Sequence, residues 1–330
     1  MSLAVFDRKP DSAPDRSEGR TPAPRRTDRR TPPPRRTGRP AWMEKPKPLT
    51  RAGKAVALAL TVALVVIPFW VVLATSFAPD QQVVDNGGWA LWPQEWSFKA
   101  YDKILSGGVV THALLVSAGV TVFGTLASLV CTVFLAYALA RPGVVGGKPV
   151  MLMVLFTFLF PPGMIPSFLV VDGLGLRNSY WALVLPVLIS AFNLVVIRGF
   201  FQGIPEELYE AARLDGAGEL RTLFTIVLPL SKAVIAVVGL FYAVSYWNDF
   251  FRAVLYLDDA GMWPLQTVMR QYVTQGQNLT DDASAAGLAV QAPQTMRMAV
   301  VVLGTVPILC VYPFVQRYFA KGVLTGAVKS

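Results

Sequence analysis

Residues 205–230, PEELYEAARLDGAGELRTLFTIVLPL, combine residue types and spacing that suit docking chemistry rather than bond making. Pro205 suits the first position of a helix, Glu206 and Glu207 complement the positive end of its dipole, and Leu208, Ala211 and Ala212 recur on one face at helical spacing. Asp215-Gly216-Ala217-Gly218 then allows a turn, after which Leu220, Leu223 and Phe224 begin a second apolar stripe that runs to Pro229. The spacing predicts two short helices meeting at a glycine bend. An amphipathic loop lying on lipid would carry Lys or Arg along its polar face. Here acids predominate, which is unfavourable beside anionic headgroups, so the segment reads as a contact for a protein partner.

Groups for catalysis or cofactor binding are scarce elsewhere. His112 stands alone, and a membrane-embedded enzyme would need several His, Asp, Ser or Cys groups at site spacing. Cys131 and Cys310 both sit within apolar stretches, as small buried hydrophobes do, so no metal, redox or disulfide chemistry is implied. PGVVGGKP (142–149) hints at a phosphate-binding loop, but Pro142 stands where that motif needs Gly and Pro149 where it needs Ser or Thr. ATP must therefore be held by another polypeptide, and no cofactor is expected.

The elements that position the docking segment follow from composition. The chain is 53% hydrophobic and 15% charged, with 26 Gly and 25 Pro, a balance outside the soluble range and inside the membrane class. Its net charge of +9 is concentrated in an N-terminal tail, and no motif pairs basic residues with stacking aromatics, so nucleic acid is excluded as a partner. Residues 1–50 form an Arg/Pro-rich tail that buries too little apolar surface to fold and is expected to be disordered. AVALALTVALVVIPFWVVLA (55–74) is long enough to cross a hydrocarbon core of about 30 Å. The SFA that follows resembles a signal-peptide cleavage site, but the long basic tail and the later apolar runs favour a span. We place spans at about 55–78, 113–140, 150–171, 181–199, 227–250 and 298–316. This predicts an all-α membrane protein whose single domain, 51–330, has six transmembrane helices, with the 205–224 loop between helices four and five. FLFPPGMIPSF (158–168) is read as a packing break in preference to a functional kink.

Orientation follows from Lys and Arg in the short connections, which remain cytoplasmic. The tail from Arg25 to Lys54, the turn with Arg141 and Lys148, the docking segment, and Arg317, Lys321 and Lys329 fall on one side. Asp80, Asp85, Glu95, Asp102, Asp172, Asp258, Asp259, Asp281 and Asp282 fall on the other. Both termini are then cytoplasmic. Trp89, Trp92 and Trp96 in the first outer loop suit either interfacial anchoring or a small packed cap.

Glu210, Ala211 and Ala212, then Gly216, then Ile226, Leu228 and Pro229 reproduce the cytoplasmic loop of binding-protein-dependent ABC importer permeases. EAARLDGAGELRTLFTIVLPL, with Asp215 opening the Asp-Gly-Ala, further resembles the carbohydrate, maltose-permease-like branch, as do YWNDFFRAVLYL and QRYFAKGVLTGAVKS. APQTMRMAVVVLGTVPILCVYPFVQRYFAKG is similar to members that handle complex oligosaccharides through lipoprotein binding proteins. The resemblance covers about residues 55–330, and it departs at Ala233, where relatives often have Pro. It implies a multi-pass subunit of the bacterial cytoplasmic membrane that pairs with a second permease, two ATP-binding subunits and an external solute-binding lipoprotein. It further implies that Glu210 makes a charge-assisted contact to the ATPase, that Ala211 and Ala212 allow close approach, and that Gly216 permits the bend. The ATPases, closing on ATP, would then rock the spans between inward-open and outward-open states.

The rival readings are an ABC permease for a non-sugar solute and an ion-coupled secondary carrier, but the carrier would have inverted repeats or mid-membrane acids, and Asp249 is the one candidate. Tyr246, Trp247, Asn248 and Asp249 instead place rings and polar heads within little more than one helical turn, the mixture a sugar requires. They suit a solute path, or equally an aromatic-belt anchor with Asn248 as a helix-packing group.

Overall fold

The computed structural model describes residues 48–271, 273 and 293–326, with side chains as far as Pro313. Most of the expected disordered tail, residues 272 and 274–292 of the stretch expected to face outward, with Asp281 and Asp282, and Lys329 lie outside the described residues, as do the side chains of Arg317 and Lys321. Residues 58–330 form one compact unit; residues 1–57 are a separate one, described only for the opening of its helix. Every regular element among the described residues is helical.

The long helices are α1 (Pro48–Ser76), α4 (Val109–Ala140) and α13 (Gln294–Gly326). Within them, Ala52–Ser76, Val109–Ala140 and Gln294–Pro313 are long and apolar enough to cross a membrane. α2 (Asp80–Asp85) and α3 (Lys99–Leu105) lie between the first two. Two further candidate spans are broken. α7 (Trp181–Val184) with its 3-10 extension to Val187 meets α8 (Ala191–Gln202) at 50°, and the stretch Glu219–Leu230 meets α12 (Lys232–Trp247) at 84°. Counted this way the described residues hold up to five spans, against the six expected from apolar runs.

Two boundaries differ from the sequence reading. The run expected at 150–171 is two short helices, α5 (Gly147–Leu159) and α6 (Met164–Gly173). Pro161 and Pro162 supply no backbone N–H, and Gly163 has φ +81°, which ends one helix before the next begins. The interruption agrees with reading FLFPPGMIPSF as a break. The span expected from 227 starts instead at Lys232, because the residues before it run in another direction. That preceding stretch contains a π turn, Leu223–Val227, and then Pro229, which again brings no N–H.

The core is assembled on α4, α8 and α12. Buried Val133, Ala136 and Tyr137 of α4 meet Leu194, Ile197 and Phe201 of α8 and Val238, Tyr242 and Tyr246 of α12. Polar pairs cross this core: Thr132 Oγ1 and the Tyr242 hydroxyl are 2.7 Å apart, and Ser128 Oγ and the Tyr246 hydroxyl 2.8 Å. Gly124 sits under the Tyr246 ring, where a Cβ would lie 2.8 Å from ring carbon. Small residues at such crossings let helices approach when water supplies no driving force between them.

The connections around residues 177 and 258 are tied by polar contacts. Arg177 donates to both carboxylate oxygens of Asp258, at 3.0 and 2.8 Å, and Asn178 Oδ1 accepts from the backbone N–H of Asp258 and Asp259. Trp92 and Trp96 pack with Trp70 and Phe77 into a partly exposed aromatic cap. Cys131 and Cys310 are free thiols.

Candidate functional site

The segment from Pro205 folds as two short helices around a glycine. α9 is Glu206–Leu214 and α10 is Glu219–Thr222; α11 (Leu228–Leu230) follows the π turn. Pro205 is the N-cap of α9, one position before the site expected for it, with Glu206 and Glu207 in the first turn and Arg213 in the last, as the dipole favours.

The turn after α9 is closed by two hydrogen bonds, Gly216 N–H to the Arg213 carbonyl (3.0 Å) and Ala217 N–H to the Ala212 carbonyl (2.9 Å). That pair of reversed bonds is the Schellman arrangement, and it needs the residue between to be left-handed. Gly216 has φ +71°, a conformation available to glycine at little cost. Nothing lies within 4 Å of where its Cβ would be, so backbone conformation rather than crowding selects glycine here.

The faces of α9 are divided differently from the sequence reading. Tyr209 and Ala212 are buried against the chain's own body, whereas Leu208, Glu210, Ala211 and Leu214 are exposed. Ala211 and Ala212 therefore differ in surroundings, one open and one packed. Asp215 and Gly216 are also exposed, as are Leu220 and Phe224, while Leu223 and Val227 are buried. Ile226 and Leu228 are half-buried and Pro229 is exposed. The outcome is an outward surface of mixed acidic and apolar character carried on a helix whose inner face is packed.

A polar cluster holds this loop to the end of α4. The Tyr137 hydroxyl donates to Glu219 Oε2 at 2.6 Å, and Arg141 Nη2 donates to Glu219 Oε1 at 3.1 Å. The Arg141 guanidinium lies 4.0 Å from the Tyr209 ring centroid, within cation–π range, and its side chain is only 9% exposed. Hydrogen bonds from Tyr137 and Arg141 outweigh the effect of burial and hold the Glu219 carboxyl below its ordinary range. Burial pushes the Tyr209 hydroxyl up against the opposing pull of Arg141, so it stays neutral. Sequence reasoning used Arg141 only as an orientation marker and missed Tyr137 and Glu219 as its partners. Their separation in sequence leaves no periodic signal; the one hint was a basic residue at the end of an apolar run.

The second candidate group is dispersed in role. Tyr246 is buried on Ser128, Trp247 is buried and donates from Nε1 to the Gly304 carbonyl at 2.9 Å, and Asp249 is 9% exposed and paired with Arg252 at 2.8 Å. Asn248 is exposed and turns its amide back to the Val244 carbonyl. All four side chains thus have a partner within the chain, and Asn248 is the one that is also exposed.

Residues 124–325 match the family model described as "Binding-protein-dependent transport system inner membrane component". The chain is 48% identical over 265 residues to the polygalacturonan/rhamnogalacturonan transport system permease protein YtcP of Bacillus subtilis, covering 80% of this chain and 92% of that one. It is 43% identical over 267 residues to Protein LplC of the same organism, covering 81% and 90%. Among solved structures it resembles a chain of a bacterial ABC transporter involved in the import of the acidic polysaccharide alginate, with a TM-score of 0.76 and 29% identity over 84% of this chain and 100% of that one.

Proposed function

The chain belongs to the family of binding-protein-dependent transport system inner membrane components, and we propose that it docks an ATP-binding subunit through residues 205–224 while forming one half of a carbohydrate path. Permease subunits of this family are not enzymes, so ATP hydrolysis belongs to the docked subunit. In this reading the full assembly has a second, similar permease, two ATP-binding subunits and an external solute-binding lipoprotein. The loop and both termini face the cytoplasm. The named solutes of the relatives, galacturonan-type polymers and alginate, support the assignment of a carbohydrate to this chain.

The observation that carries the docking assignment is the exposed edge of α9, where Glu210 and Ala211 stand beside Leu208 and Leu214 while the opposite face is packed and clamped. A helix with one face fixed and an acidic, apolar face free is a rigid element presented to a partner. Glu210 meets a basic residue of the ATPase, Ala211 lets the surfaces close, and the Gly216 turn with Asp215 directs the chain back toward the membrane. Ile226, Leu228 and Pro229 carry the movement toward α12. ATP-driven closure then shifts the spans between two states, by as much as the partner's affinity differs between them. Tyr246, Trp247, Asn248 and Asp249 mark the outer end of α12 as the adjoining part of the solute path, with Asn248 the exposed member of the four.

Glu210→Lys in the reconstituted importer tests this. We expect loss of the ATP-binding subunit on purification, by at least about an order of magnitude in affinity, because a charge across a docked interface is reversed. Stimulation of ATP hydrolysis by binding protein and solute should vanish with it. Uptake at the parental rate in this variant would overturn the docking assignment.

A further inference from the structure

The 50° bend between Val187 and Ala191 opens a groove of about 470 Å³ beside α12. Its wall includes Ser190, Phe192, Asn193, Phe241, Tyr242 and Ser245, and no acidic or basic side chain. Phe192 and Phe241 present exposed rings with centroids 6.1 Å apart and planes tilted by 47°. Between them and the bend lie polar groups with uncommitted valences. Asn193 is 4% exposed, yet among the described residues its amide side chain has no hydrogen-bond partner, and the exposed Ser245 hydroxyl has none either.

Some hydroxyls on the apolar helices turn back to a carbonyl of their own helix or its cap, as those of Thr157, Ser167 and Thr305 do, and others, such as those of Thr121 and Thr125, are buried without a partner; the Asn193 amide and the Ser245 hydroxyl differ in opening on a common groove. Ser190 and Tyr242, by contrast, are already bonded: the Ser190 N–H donates to the Tyr242 hydroxyl at 2.9 Å, which fixes the bend against α12. The groove is therefore a rigid frame with a free amide, a free hydroxyl and two ring faces. Hydrocarbon would leave the amide unsatisfied, which is costly where no water reaches. A carboxylate would find no cation and no fork of N–H donors.

We propose, on the importer reading above, that this groove is a wall of the solute path that takes the uncharged face of a sugar. Ring C–H surface lies on Phe192 and Phe241, while hydroxyls exchange hydrogen bonds with the Asn193 amide and the Ser245 hydroxyl. Amide and hydroxyl both donate and accept, so they pair with a sugar hydroxyl in either orientation. If the solute is acidic, like those named for the relatives, its carboxylates are met outside this wall.

The test begins by finding a solute whose cellular uptake requires this chain, among trigalacturonate, a trimeric alginate fragment and maltotriose. If none requires it, the carbohydrate reading itself fails, and this inference with it. With that solute and the complete importer in nanodiscs, Cys131 and Cys310 are replaced by Ala, and Ser245→Cys is labelled with an uncharged, water-soluble thiol reagent. We expect labelling in the assembled importer and protection by solute. Labelling of the isolated chain but not of the importer would assign the groove to the partner permease, and labelling only by a lipid-soluble reagent would assign it to the bilayer; either overturns the proposal. In parallel, Ser245→Ala should raise the KM for uptake about fivefold, the factor one neutral hydrogen bond supplies. Phe192→Ala should raise it as well, with the subunits still purifying together. Unchanged KM in both variants, with uptake still dependent on the chain, would overturn the groove assignment and leave the importer reading standing.

Discussion

Arg141 ends the longest helix of the core and stacks on a tyrosine of the loop, so one side chain joins two elements far apart in sequence. Its charge is nearly sheltered from water while its partner Glu219 is 57% exposed, so the ion pair itself is worth little and the ring contact more. We expect Arg141→Ala to weaken attachment of the loop by about 1–2 kcal/mol. Hydrogen exchange at the amides of 205–224 should then quicken by roughly an order of magnitude, and unchanged exchange would remove Arg141 from the clamp. Acid should act on the same contact from the other partner. The Glu219 carboxyl is held below its ordinary value of 4.5, so its stabilising contribution is complete above that pH and is lost as pH falls through the lower, folded value. Exchange in the parental loop should therefore show no pH effect beyond the intrinsic rate above about pH 5.5, while Glu219→Gln loosens the loop there and no longer differs from the parent once pH falls below the folded value. A transition of the parental loop near neutral pH would contradict that assignment.

At the scale of elements, the sequence was most legible where structure is set locally. Asp215-Gly216-Ala217-Gly218 announced a turn because a left-handed residue after a helix is a matter of neighbouring bonds, and Pro161-Pro162-Gly163 announced a break for the same reason. Less legible was the 84° change of direction before Lys232: Pro229, Ser231 and Lys232 interrupt the apolar run, but an interruption carries no record of the angle between the axes on either side. The division of α9 into faces was also misread, because Ala212 and Ala211 are equally apolar and only the position of the core decides which is inward. Packing of α4 against α12 was invisible altogether. Gly124→Ala measures it: with a Cβ at 2.8 Å from the Tyr246 ring, the helices must separate or the ring must move, at a cost of about 1–3 kcal/mol. A lower midpoint of thermal unfolding for the purified importer is expected, and an unchanged one would mean the ring is free to swing aside.

Over the whole molecule, the proposed orientation predicts that Leu214→Cys, at the exposed tip of the loop, is shielded from an impermeant reagent in intact cells and labelled in inverted vesicles, whereas Gly88→Cys in the first outer loop behaves oppositely. Labelling of Leu214→Cys from outside would reverse the assignment. The route between these two faces runs from the clamped loop into α4 and across to α12 through the hydroxyl pairs Thr132–Tyr242 and Ser128–Tyr246. Those pairs are spaced one helical turn apart on both helices, and the chain direction reverses between them. A slide of one residue would break both together. A slide of a full turn, about 5.4 Å, would bring one hydroxyl opposite the other's tyrosine and restore one pair of the two. The contact thus works as a vernier, two marks on each helix that coincide in full at one axial setting and so fix the register in which α4 and α12 lie.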